Sequence, residues 1–351
     1  MIELKLKINS PNDNIAPKLE FIKKIIDLII NNKTDELKFI INKHVNSSPF
    51  RSVNILEKLL YNTDAKNLLN KNDRTIWDNE LKKILHSKNW IEDTFHLMLS
   101  DKDFMLIKKI NLNKESNIGS IGSCFARNIS RQFQSFGYYN IHTVGIEENV
   151  NSPRLINIYL NPDLNKNSVK QDWEGRIGFE SKSLIELIKQ LDLLIITFGV
   201  GFDLVNNQTN EIISNVKNVS ENIKNGKYVF KAPTIDEQKN YICSSIKNIK
   251  TINPNLPIFI TISPVPLSGY VGNKHVFTAN TISKANLILS LGEAKKSADF
   301  TYIPIYELIT LIAPVVMMGN IWGDSSTKRH PNEDLVKKIC EVFINLFNKD
   351  N

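Results

Sequence analysis

Residues 118–133 read IGSIGSCFARNISRQF. The small and apolar run NIGSIG has the character of a buried strand. A helical pattern starts at once in CFARNISRQFQSFG and stops at Gly137. Where the one gives way to the other, two residues able to act as nucleophiles, Ser123 and Cys124, stand side by side. At the first turn of a helix the main-chain N–H groups are unpaired, and the helix dipole favours an anion. The Cys124 thiol is therefore expected to have a lowered pKa and to attack readily at neutral pH. The same N–H groups would form half of an oxyanion hole. Ser123 serves instead if a histidine reaches it. Read without chemistry, the turn is a buried cysteine with an N-cap serine.

Working outward, short apolar runs alternate with amphipathic segments. YNIHTVG, LDLLIITFG, PIFITIS and part of TYIPIYEL read as strands. SLIELIKQ, TIDEQKNYICSSIKNIKTI, TISKANLILSLGEAKKSA and NEDLVKKICEVFINLF read as helices, the second opened by a capping-box-like Thr234-Ile-Asp-Glu. Strands apolar on both faces, alternating with helices, predict an α/β fold with a parallel sheet covered on both sides. Functional groups in such sheets gather beyond the carboxyl ends of the strands. The candidates are Ser123 and Cys124 after the first strand, residues 145–151 after the second, 199–203 after the third and 263–266 after the fourth. The last is WGDSSTKRHPNEDLVKKI, before the final helix. There His330 precedes Pro331, a favoured first-turn residue. A histidine so placed reaches the exit of the first strand, and Asp324, six residues upstream, would orient its ring.

Residues 1–110 read as a mainly helical region, opened by a short strand in MIELKLKI, and residues 111–351 as the α/β domain. His44, His86 and His96 read as ordinary packed or surface histidines. Of the 351 residues, 42% are hydrophobic and 23% charged, the profile of a soluble globular protein. No apolar run approaches the roughly 20 residues that span a bilayer, and IIDLII is too short for a secretory segment; a cytoplasmic location is expected. Three cysteines without a CxxC pair argue against a disulfide framework and a structural zinc site. The net charge of +7 comes from dispersed lysines. With no basic stripe and no interleaved aromatics, nucleic acid is not an expected partner. An anionic glycan or nucleotide-linked substrate is compatible with this balance.

GSCFA at 122–126 resembles the signature of the GSCFA domain family, which is itself similar to the SGNH (GDSL-like) hydrolases. The likeness continues through VGIEENVNSPRLI, LLIITFGVGFD, the SPVPL…SKA block at 263–285 and YIPIYELI. It implies a three-layer, flavodoxin-like parallel sheet. The third residue of the SGNH Gly-Asp-Ser turn, the nucleophile, falls on Cys124, with Ser123 in the place of the Asp; a shift of one residue reverses the choice. By the same matching Gly145 or its neighbours and Asn151 would give oxyanion donors, and His330 the base. Gly199, Ser263, His275 and Lys284 are candidate substrate or oxyanion contacts, Lys284 being read either so or as a solvated residue at the start of a helix. Tyr306-Glu307 is read as substrate contact or packing. The resemblance also shows two departures. The position three residues before the histidine, an Asp in SGNH enzymes, is Thr327, so Asp324 would substitute or the site would run as a dyad. The segment after Gly199, Val200-Gly201-Phe202-Asp203, lacks the SGNH Asn. The implied function is an esterase or O-acyltransferase acting on a saccharide or glycan precursor, in polysaccharide modification. It would need no metal or cofactor, with acyl-CoA compatible as donor. The alternative is an inactive SGNH-like domain that binds a glycan or a protein partner, the N-terminal helices acting as a docking module.

Overall fold

The computed structural model describes residues 81, 83–85, 87–98, 110–161, 181–213, 219–317, 321–323 and 329–348. The segments read in residues 1–80, with the opening strand and His44, lie outside the described residues, as does His86.

Strand β1 (Ile118–Gly122) is buried along its whole length. A strand with no face for water must be paired on both edges and covered on both faces. β2 (Ile141–Gly145) pairs along one edge and β3 (Leu193–Phe198) along the other. The sheet grows outward from β3 through β6 (Ile258–Ile262) and β7 (Thr301–Tyr302), with every pairing parallel. β4 (Asp203–Asn206) and β5 (Tyr228–Lys231) form a separate antiparallel pair after β3. The main-sheet order is β2-β1-β3-β6-β7. With the hairpin set aside this is the flavodoxin-like order, in which the chain reverses its direction of winding between β1 and β3. The carboxyl ends of those two strands therefore flank the crevice where ligands bind in such sheets.

One helical layer holds α1 (Trp90–Met98), α2 (Cys124–Ser135) and α10 (Glu333–Phe347). The other holds α3 (Pro153–Leu160), α4 (Ser181–Gln190), α6 (Ile235–Ile252) and α7 (Val276–Lys295). The remaining helices are α5 (Val219–Lys224) in the hairpin insertion and, after β7, α8 (Ile305–Glu307), a π-helical turn (Leu308–Ile312) and α9 (Ala313–Val316). Phe133 of α2, Phe259 of β6 and Phe343 and Phe347 of α10 meet edge to face at 5.2–6.0 Å. Such pairs add directional preference to the burial of large rings. Ile91 and Phe95 of α1 lie in the same core, while His96 is exposed beside Glu92, one turn away. All described residues belong to one compact unit, Asp78–Asn351. The lead-in to β1 is clasped to the end of α10. Ile110 N–H donates to the Phe347 carbonyl at 2.8 Å, and the Asn348 amide accepts from Leu112 N–H at 3.0 Å and donates to its carbonyl at 2.8 Å.

The strands, α2 and the Thr234–Glu237 capping box of α6 lie where the sequence places them. Gly137, at φ +85°, ends α2. Two helix starts differ. α7 begins at Val276, with the His275 ring as its cap, so Lys284 sits in mid-helix. α10 begins at Glu333, because Asn332 caps it by accepting the Asp334 N–H at 2.9 Å. Pro331 is thereby left out of the first turn, bridged to Trp322.

Candidate active site

At the exit of β1 the chain turns hard against β3. Gly122 has φ +149°, and a Cβ there would lie 2.7 Å from the Thr197 carbonyl oxygen, so only glycine fits. Ser123 follows as N-cap, 1% exposed and making no capping hydrogen bond. Cys124 opens α2 and is partly exposed. His330 Nε2 lies 3.2 Å from Cys124 Sγ, whereas the Ser123 hydroxyl stands 4.0 Å from that sulfur. The backbone of His330 is held by its carbonyl, which accepts the Gly323 N–H at 2.8 Å, and by the bridge between Trp322 and Pro331. Asp324 and Thr327 lie outside the described residues.

The thiol pKa departs from expectation. It is raised above 9.0, by burial first and by the Glu148 carboxylate second. The Ser123 hydroxyl, the Arg127 guanidinium and the Phe125 N–H pull it the other way without prevailing. Loss of water around a buried anion here outweighs the helix N-terminus. Burial and the Glu148 carboxylate thus favour the thiol over the thiolate.

Gly145 pairs with Gly122 at the end of β2, and the next N–H, of Ile146, donates to the Gly122 carbonyl at 2.7 Å. Asn151 is fully buried. Its side-chain amide donates to the Thr197 carbonyl at 2.9 Å, and its main-chain carbonyl accepts from Gly199 and Val200 N–H at 3.0 and 3.1 Å. Asn151 thus clamps the exit of β3, and a Cβ on Gly199 would meet its amide at 2.9 Å. Ser263 is buried after β6, its hydroxyl accepting the Val265 N–H at 3.3 Å.

Lys284 is neither at a helix start nor solvated. It is 1% exposed, and Nζ donates to the Gly199 carbonyl at 2.6 Å and the Ser263 carbonyl at 2.8 Å, tying the exits of β3 and β6 together. Burial pushes its pKa down to about 7, against the upward pull of Glu148 and Cys124. His275 is exposed, and its Nδ1 accepts the Phe277 N–H at 3.3 Å; it is a helix cap. Asp203 turns to α3, accepting the Ser152 hydroxyl at 2.7 Å beside Arg154. Glu307 accepts the buried Tyr302 hydroxyl on both oxygens at 2.9 Å, a packing role.

Three charged residues near the thiol were not singled out from the sequence. Arg329 grips Glu148 with two nitrogens, at 2.7 and 3.3 Å, and donates to the Pro266 carbonyl at 2.7 Å. It thereby joins the loops after β2 and β6 to the segment that carries His330. Its place beside His330 was the available signal. Arg127 lies one turn after Cys124 on α2, its guanidinium over Gly145. Among the described residues no group of three side chains suits a metal, and no helix is long and apolar enough to cross a membrane.

The family model described as GSCFA family matches residues 163–343, just over half of the chain. The chain belongs to the GSCFA family. The segment matched to the GSCFA model contains Ser263, Lys284 and His330; the turn at Gly122–Cys124 precedes it. No curated protein matches the chain. Among solved structures, a protein designated a GDSL-like lipase from Parabacteroides merdae ATCC 43184 is 14% identical, with a TM-score of 0.33 over 68% of this GSCFA chain and 97% of its own. One designated a platelet activating factor from Streptococcus pneumonia is 14% identical, with a TM-score of 0.35 over 76% and 95%. Likenesses this loose carry nothing about chemistry.

Proposed function

We propose that the protein catalyses acyl transfer, as an esterase when water is the acceptor or as an O-acyltransferase when a saccharide hydroxyl is. Cys124 is the nucleophile and His330 the base. The observation that carries this reading is the 3.2 Å approach of His330 Nε2 to Cys124 Sγ, within reach for proton transfer. A thiol that keeps its proton at rest needs a base during attack, and His330 is the group beside it.

In this reading Nε2 takes the Sγ proton as sulfur bonds to the carbonyl carbon and the carbonyl electron pair moves to oxygen. The unpaired N–H groups at the first turn of α2 face that oxygen. As the intermediate collapses, the leaving alcohol or thiol takes the proton back from His330. Water or an acceptor hydroxyl then gives its proton to Nε2 while attacking the thioester, and the thiol is restored. Asp324 is the group proposed to orient the ring. Acyl-CoA is a compatible donor, and no cofactor enters the steps.

The test is turnover of p-nitrophenyl acetate and acetyl-CoA by the wild type, Cys124→Ala, Ser123→Ala and His330→Ala, with folding followed by circular dichroism. Cys124→Ala should abolish turnover, His330→Ala should lower it by about 10²–10⁴-fold, and Ser123→Ala should retain it. A wild type inactive on both substrates, or indifference to all three substitutions, refutes the reading in favour of a binding module.

A further inference from the structure

Three basic side chains besides His330 lie near Cys124, and two of them have acceptors. Arg329 is held by Glu148 and the Pro266 carbonyl. Lys284 is held by two strand-end carbonyls. Arg127 differs. Among the described residues no group accepts a hydrogen bond from its guanidinium, and no carboxylate pairs with it. Yet it is partly buried, with Nη1 only 3.4 Å from where a Cβ on Gly145 would stand. It projects from α2 three residues after Cys124, hence on the same side of the helix, and is near enough to help hold the thiol pKa down. A guanidinium drawn from water without a protein acceptor is costly. Its planar fork matches the paired oxygens of a carboxylate or phosphate.

Resting on the acyl-transfer reading, we infer that Arg127 selects the substrate: the site takes an acyl compound carrying an anionic group, carboxylate or phosphate, close to the reacting carbonyl. The anion lies over Gly145 at the exit of β2, against the free face of the Arg127 guanidinium, while Cys124 Sγ meets the carbonyl. The paired charges of Glu148 and Arg329 leave this preference to Arg127.

The experiment compares three substrates on the full chain: neutral p-nitrophenyl acetate, mono-p-nitrophenyl succinate with a carboxylate on the acyl side, and acetyl phosphate with the charge on the leaving side. The wild type, Arg127→Gln and Arg127→Lys are each measured. In parallel, Cys124 is alkylated with anionic iodoacetate and neutral iodoacetamide and the modified peptide quantified, a readout that requires no turnover. The anionic-to-neutral ratio cancels any change in thiol acidity common to both reagents. The wild type should favour at least one anionic substrate, and the arm favoured names carboxylate or phosphate. Arg127→Gln should lower that ratio about tenfold, lower the iodoacetate-to-iodoacetamide ratio in step, and leave the neutral reactions closer to wild type. Arg127→Lys should keep part of both preferences, and added salt should erode them. If no ester turns over but Arg127 still sets the alkylation ratio, acyl transfer fails and the anion site stands. If both ratios are unmoved by Arg127→Gln, the inference is wrong, even where turnover of neutral and charged substrates falls together.

Discussion

Two ionisable groups lie at the exits of the central strands, and the fold treats them in opposite ways. At the exit of β1, Cys124 faces side chains: His330 at 3.2 Å, with Ser123, Glu148 and Arg127 around it. At the exits of β3 and β6, Lys284 faces main chain, two carbonyls fixed by the sheet. A neutral amine has two N–H bonds, one for each of those carbonyls, and its pKa near 7 fits that use. Burial shifts both groups toward their uncharged forms. What differs is the partner. Side chains that can exchange a proton make an ionisable group a reagent, and a pair of carbonyls makes it a brace.

The sharpest way to break this contrast uses a third group, Cys340, which burial alone pushes up to about 12. Iodoacetamide should modify Cys124 in the native protein at least about a hundredfold faster than Cys340. Comparable rates in peptide mapping would mean that the neighbours of Cys124 count for nothing.

Next in size is the brace. Lys284→Met leaves two buried carbonyls unpaired and should cost about 2–4 kcal/mol at pH 7 in urea unfolding. Its pH dependence has a fixed sign. Between pH 10.5 and about 7 the unfolded chain holds a proton on Lys284 that the folded chain lacks. Wild-type stability relative to Lys284→Met should therefore rise from pH 7 to 10, by up to about 1.4 kcal/mol per unit, and level off below pH 7. A difference that stays flat would show an amine charged throughout.

Gly122→Ala tests the turn. Positive φ together with the Thr197 carbonyl should cost about 1–3 kcal/mol, and the displaced thiol should lose reactivity with it. The smallest effect is electrostatic. Glu148→Gln removes a carboxylate that pushes the thiol up, so alkylation of Cys124 at pH 7.5 should quicken about two- to fivefold. A slower reaction would mean that Glu148 acts chiefly by holding Arg329 in place.

The layer order and the turn were legible because each is written locally. β1, β3 and β6 are built mainly of apolar and small residues and are buried throughout, Gly137 ends a helix, and Thr234 and Glu237 sit at capping spacing. The juxtaposition of Cys124 and His330 followed from where parallel strands end. A start of α7 at Thr281 places Lys284 in a first turn and suggests solvation, whereas the helix begins at Val276. From the true start, Lys284 shares the buried face of Leu287 and Leu291, and a lysine in an apolar stripe announces a buried ionisable group. The grip of Arg329 on Glu148 joins residues 181 apart, and no local pattern encodes such a pairing. α3 carries a local signal in Ser152 and Pro153, at N-cap and first-turn positions. The β4–β5 hairpin leaves little periodic signal, since its strands are only four residues long.

The clasp between Asn348 and Leu112 has a consequence for biosynthesis. The lead-in to the central strand and the thiol at its exit are both translated early, while the groups that close on them come late. His330 follows Cys124 by 206 residues. At about 5–20 residues per second, the nascent thiol waits roughly 10–40 s for its histidine. Throughout that interval the lead-in to β1 also lacks its clasp, since Asn348 comes 236 residues after Leu112.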